Sequence, residues 1–193
     1  MNTTTFVLTG IDSSHADNLR ALGGITYVAD ESPGYPCRQC LRDAEVGEEL
    51  LLVSYDPFTA SSPYRCASPI FIHSKSCTPH DAAGLPTQLT SRKLSVRAFD
   101  DEAMMLDAAL IDGTDLFKTI YHLLSNPSVE VLHLHNAPRG CWAAPPHRSM
   151  NDLGAGLARR SGAVNIAWRP DQFGAPPGSR TPNQRIKSPL LYR

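Results

Sequence analysis

Cysteine, histidine and arginine concentrate in two short stretches of this 193-residue sequence. The first is Pro36-Cys37-Arg38-Gln39-Cys40. The second is His133-Leu134-His135-Asn136, followed at once by Arg139-Gly140-Cys141. A thiol beside a guanidinium is a candidate nucleophile, because a neighbouring positive charge favours the thiolate. Imidazoles two apart on an extended chain share one face and can carry protons. Arginines beside glycine in a loop offer forked donors for an anion.

Three kinds of chemistry fit these residues. In the first, a pocket between the two stretches uses Cys37, His135 and Cys141 as reacting groups. Arg38, His133, Asn136 and Arg139 hold an anionic small molecule there, and Arg65 and Arg97 are further candidates for the anion. In the second, the cysteines simply pack and the domain is a non-catalytic structural or interaction protein. In the third, Cys37, Cys40 or Cys141 combine with His133 and His135 in a tetrahedral zinc module of nitrogen and sulfur ligands. The first reading is preferred, so no residue is assigned to a metal and no cofactor is named. Cys37-x-x-Cys40 has the spacing of a thioredoxin-like dithiol, but that chemistry needs the first cysteine at a helix start, and here a turn and a strand follow. No phosphate-cradling glycine loop, serine nucleophile elbow or pair of metal-binding carboxylates is present.

These residues must be held by short elements. Sixteen prolines and thirteen glycines predict many turns. Pro33 and Pro36 fix two φ angles and stiffen the approach to Cys37. A strand is expected over 6–8, then a helix over 13–22 capped by Asp12 and ended by Gly23-Gly24. Further strands are expected over 25–28, 50–53 and 68–73, with the apolar run 50–53 covered on both faces as the centre of the core. Leu94, Val96 and Ala98 alternate with polar residues, which predicts a half-buried strand paired as a hairpin with 104–111. Thr114 caps the main helix, over about 114–125, whose apolar stripe includes Leu116, Ile120 and Leu123. Strands over 129–135 and near 140–142 complete the set. The fold class is α+β, built on a mostly antiparallel, barrel-like sheet of six or seven strands with that one main helix.

Length favours a single domain. Residues 1–147 hold ten Lys and Arg against seventeen Asp and Glu, a net of −7, whereas 148–193 hold eight against two. An acidic body argues against a nucleic-acid surface. The amino terminus lacks a secretion signal, no run is long enough to span a bilayer, and an odd cysteine count suits reduced thiols. A cytoplasmic protein without membrane or nucleic-acid partners is the expectation.

The run Pro33-Gly-Tyr-Pro-Cys-Arg-Gln-Cys-Leu-Arg-Asp-Ala-Glu-Val-Gly-Glu-Glu-Leu-Leu-Leu52 resembles a bacterial family, the domain of unknown function 1203. The likeness continues through Ser62-Pro-Tyr-Arg65, Leu94-Ser-Val-Arg-Ala-Phe-Asp100, Met104-Met-Leu-Asp-Ala108 and His133-Leu-His-Asn-Ala-Pro-Arg-Gly-Cys-Trp-Ala-Ala144, covering about 5–144. That resemblance implies one domain over 1–147 and no defined activity. After Ala144 the sequence departs from the family pattern, and 148–193 is expected to be a disordered basic tail. Its ending resembles translation through the complement of a lysine transfer RNA gene, as a frameshift near Ala144 would produce. The alternative is a genuine basic tail for nucleic acid or membrane.

Overall fold

The computed structural model describes residues 6–80, 84–149 and 165–166. The chain begins with β1 (Phe6–Val7) and α1 (Ser13–Leu22). The Asp12 carboxylate accepts the backbone N–H of His15 and so caps α1, and Gly23, at φ 79°, ends it. β2 (Ile25–Val28), β3 (Glu49–Tyr55) and β4 (Ser68–His73) follow, then the single turn α2 (Thr87–Thr90) and the hairpin β5 (Lys93–Phe99) and β6 (Met105–Asp112). A 3-10 turn at Gly113–Asp115 leads into α3 (Leu116–Leu124), and the strands β7 (Val131–Asn136), β8 (Trp142–Ala144), β9 (His147–Arg148) and β10 (Asn165–Ile166) end the series.

The strands form two open sheets. One runs in the order β10-β1-β9-β7-β5-β6, with β8 also paired to β7, and the other is β2-β3-β4. Every pairing between these strands is antiparallel. The α+β class therefore stands, but the expected barrel-like closure does not. β6 and β2 are edge strands that pair on one side only, so neither sheet returns on itself.

The core also sits elsewhere than the apolar run 50–53 suggests. Leu51 and Leu52 are only half-buried, whereas the largest apolar cluster joins Leu94, Val96 and Ala98 of β5, Leu132 and Leu134 of β7, and the inner face of α3. β7 pairs with β5 along one edge and with β8 and β9 along the other, and its central residues are buried on both faces. A second cluster packs Ala16 and Leu19 of α1 on Val53, Ile70 and Ile72, and Trp142 of β8 joins it, tying the sheets together. Thr114 does not cap the main helix. It lies within the 3-10 turn, whose Gly113 is pressed so close to α2 that an added Cβ would stand 2.3 Å from the Leu89 carbonyl oxygen.

The expected tail falls mostly outside the described residues. Within it, Arg148 belongs to β9 and Asn165–Ile166 pairs with β1. Among the described residues no helix is long and apolar enough to cross a membrane.

Candidate metal centre and adjoining cavity

The segment carrying Cys37 and Cys40 closes the free edge of β4. Cys37 bridges Phe71 in parallel, the Arg38 N–H donates to the Phe71 carbonyl at 2.8 Å, and Pro36 opposes Asp43. The chain turns tightly over 38–40 and the Cys37 N–H returns to the Arg42 carbonyl at 3.0 Å, with Leu41 forced to φ 53°. From the other side Ile11 donates to the Arg38 carbonyl at 2.8 Å. This approach requires Gly10, because a Cβ there would lie 1.9 Å from the Gln39 carbonyl oxygen.

The turn faces the end of β4 and the loop after it. There Cys37, Cys40, His73 and Cys77 come together, one ligand atom from each, all within 4.8 Å of one another. The Cys37 and Cys77 sulfurs are 3.8 Å apart, and the Cys40 sulfur is 3.7 Å from His73 Nδ1. A disulfide would need about 2.05 Å. A tetrahedral zinc ion, with zinc–sulfur bonds of about 2.3 Å and a zinc–nitrogen bond of about 2.0 Å, spaces two sulfurs by roughly 3.8 Å and sulfur from nitrogen by roughly 3.5 Å. Those two separations are close to the tetrahedral values, and all four ligand atoms lie within 4.8 Å of one another.

The surroundings orient these groups. His73 Nε2 lies 3.3 Å from Glu48 Oε2, and Glu48 is held by two 2.7 Å bonds from Arg42 and one of 2.8 Å from the Glu45 N–H. Arg42, and then the Glu45 amide, keep the Glu48 carboxyl down at about 2. An anion on Nε2 fixes the tautomer that leaves Nδ1 free to ligate. Arg20 donates to the His73 carbonyl at 2.9 Å and also to Gln39 Oε1, which accepts the Cys77 thiol at 3.3 Å. The His80 N–H donates to the Gln39 carbonyl at 3.2 Å, pinning the loop to the turn.

Cys37, Cys77 and His73 are shifted by their neighbours in the cluster. Hydrogen bonds from Cys40 and then Cys77 drive the Cys37 thiol far below its usual range, while Cys37 and then Cys40 push Cys77 up. The same two thiols, Cys37 first, raise His73 to about 10.

Beside the centre, where the two sheets meet, lies a cavity of about 750 Å³. Arg38, Asn136, Arg139 and Cys141 line one side, and Tyr27, Tyr35 and Phe71 line another. Four of the seven residues singled out from the sequence therefore share one cavity. The other three lie elsewhere. Cys37 directs its sulfur to the cluster. His133 borders a separate hollow of about 150 Å³ with Phe58 and Phe99. His135 Nδ1 pairs with the Gly140 carbonyl at 2.8 Å, clipping the β7–β8 hairpin. Burial holds both these histidines down at about 4. Of the other two arginines considered, Arg65 pairs with Asp56 and Arg97 bonds Ser95.

The sequence reading missed His73 and Cys77. A usable signal was present, since Cys37-x2-Cys40 followed by His73-x3-Cys77 is the two-plus-two spacing of zinc ligands.

A family model described as "Protein of unknown function (DUF1203)" matches residues 34–148, a span that contains the whole cluster. No curated protein and no solved structure matches the chain.

Proposed function

The chain belongs to the DUF1203 family of proteins of unknown function, and from that premise we propose that it is a zinc-stapled domain whose metal is structural. Cys37, Cys40, His73 and Cys77 would hold one zinc ion. The observation that carries this reading is the four-atom cluster itself, with three sulfurs and one nitrogen within 4.8 Å. Four protein ligands complete a tetrahedron and leave no position for a water, which is the arrangement of structural zinc. Thiolates with imidazole suit zinc, whereas a carboxylate-rich set would suit magnesium or calcium.

The role follows from where the ligands come from. Cys37 and Cys40 lie in a tight turn with no regular secondary structure of its own, His73 ends β4, and Cys77 lies in the loop beyond. A metal bond across these segments replaces the core that so short a loop cannot build. A dithiol oxidoreductase reading is weaker, because no helix starts at Cys37 and its sulfur also stands 3.8 Å from Cys77, outside the Cys37-x-x-Cys40 pair.

The test is metal content and folding of the full chain. The reading expects about one zinc per chain after expression in zinc-supplemented medium, tetrahedral thiolate absorption when cobalt replaces zinc, and loss of folding on chelation. A metal-free chain of unchanged stability would refute it.

A further inference from the structure

Arg38 lies between the first two cysteines of the cluster yet faces the neighbouring cavity, and its surroundings are unusual for an arginine. Only 2% of its surface is exposed. Among the described residues, one terminal nitrogen donates to Gln88 Oε1 at 2.8 Å, Nε has no partner, and no carboxylate stands within ion-pair distance. A buried guanidinium without a counter-charge is costly, and proteins normally pair such groups. Both backbone groups of Arg38 are bonded, to Phe71 and Ile11, so the residue is fixed in place.

The other charges on the cavity wall narrow what could pair with it. Arg92 is taken by Asp43 through bonds of 2.6 and 3.0 Å, and Lys93 by Asp112 at 2.7 Å. Among the described residues, the exposed Arg139 side chain has no bonded partner, and Glu31 is the one carboxylate on the wall. The uncommitted groups are thus two cations and one anion, an excess of one positive charge. Tyr27, Tyr35 and Phe71 form an edge-on aromatic group on the same wall, and Leu52, Ile70 and Pro138 extend it. Asn136 adds a buried carboxamide oxygen that lacks a donor. The volume lies within the roughly 300–1,000 Å³ usual for small-molecule sites.

We propose that this cavity binds a small organic monocarboxylate with an apolar or aromatic body. The carboxylate sits on the open edge of Arg38 with Arg139 closing over it, the body lies against Tyr27, Tyr35 and Phe71, and a hydroxyl next to the carboxylate donates to Asn136. A planar guanidinium accepts such a carboxylate through paired bonds. The inference goes beyond the zinc reading and rests on different groups. Because Arg38 lies inside the metal turn, though, the two sites share one rigid segment.

The probes are phenylacetate and 3-phenyllactate, with phenylacetamide as the uncharged counterpart and phenethylamine as the cationic one. Binding to the full chain is measured by calorimetry and thermal shift, with zinc content recorded in parallel. The expected order is phenyllactate above phenylacetate, with the amide and amine at least about tenfold weaker, as loss of a charged hydrogen-bond pair implies. Arg139→Ala, at an exposed position, should keep the fold and weaken both carboxylates about tenfold. Arg38→Met should abolish carboxylate binding without loss of thermal stability, because it removes an unpaired buried charge. Equal binding of the amide, no binding of either carboxylate, or unchanged affinity in Arg139→Ala would overturn the proposal. A chain that binds the carboxylates but holds no zinc would refute the zinc reading alone.

Discussion

Replacing Glu48 with Gln tests the metal centre without touching a ligand. The carboxylate stands 3.3 Å from His73 Nε2, on the far side of the ring from the nitrogen that faces the sulfurs. Its charge raises the basicity of the ring and holds the ligating tautomer, and loss of such a partner typically costs about 10–100-fold in metal affinity. Here the contact is longer than an ideal charged hydrogen bond, and Glu48 is a third exposed. The lower end applies, about tenfold, or about 1.4 kcal/mol. The glutamine can still accept from Arg42, so the loop before β3 stays in place. Competition against a chromophoric chelator gives the zinc affinity, and thermal melting of the chelated protein gives the metal-free stability. The expected result is weaker zinc binding with almost the same metal-free melting temperature. An unchanged affinity, or an equal fall in metal-free stability, would refute the argument that Glu48 acts through His73.

Other consequences are as direct. Gly10→Ala drives a methyl to within 1.9 Å of the Gln39 carbonyl and must push the metal turn away from the β1–α1 loop, at a cost of about 2–3 kcal/mol in denaturant unfolding. Cys77→Ser should release zinc and lower the melting temperature of the zinc-supplied protein. Cys66→Ser, at an exposed thiol outside the cluster, should do neither. Acid should destabilise the domain through His133 and His135. Burial lowers both from about 6.5 to about 4, so the unfolded chain takes up protons first as pH falls. Stability is full above about 6.5 and is lost progressively toward 4, by about 2 kcal/mol per histidine at pH 5. His133→Gln should flatten part of this slope in melts followed from pH 7.5 to 5.

Local signals that agree with one another were readable from the sequence. Asp12, the spacing of Ala16 and Leu19, and Gly23 all specify the same helix, and α1 spans residues 13–22 as expected. The alternation of Leu94, Val96 and Ala98 likewise gave the inner strand β5. What depended on distant partners was not readable. The run 50–53 looks buried on both faces because Leu51 and Leu52 are as apolar as Leu50 and Val53. In the fold, however, β3 belongs to the small sheet: Leu50 and Val53, on opposite faces, are buried, while Leu51 and Leu52 stay half open. Thr114 has the right type for a cap, but the close packing of Gly113 on α2 sets the start of α3. Barrel closure is a matter of strand order, and no residue type encodes it.

The site divides the same way. Cys37 and Cys40 announce a ligand pair by spacing alone. Their partners lie more than thirty residues on, His73 at the end of an ordinary strand and Cys77 in a loop without periodicity. His133 and His135 drew attention because they alternate beside a cysteine. One proves to clip a hairpin and the other to pack among Phe58 and Phe99.

Native mass spectrometry of the full chain, compared with its denatured mass, tests the central claim most directly. The account predicts a surplus of one zinc ion that is retained in Cys141→Ala and lost in Cys77→Ser. No surplus in the wild-type protein, or one that survives Cys77→Ser and disappears in Cys141→Ala, would contradict it.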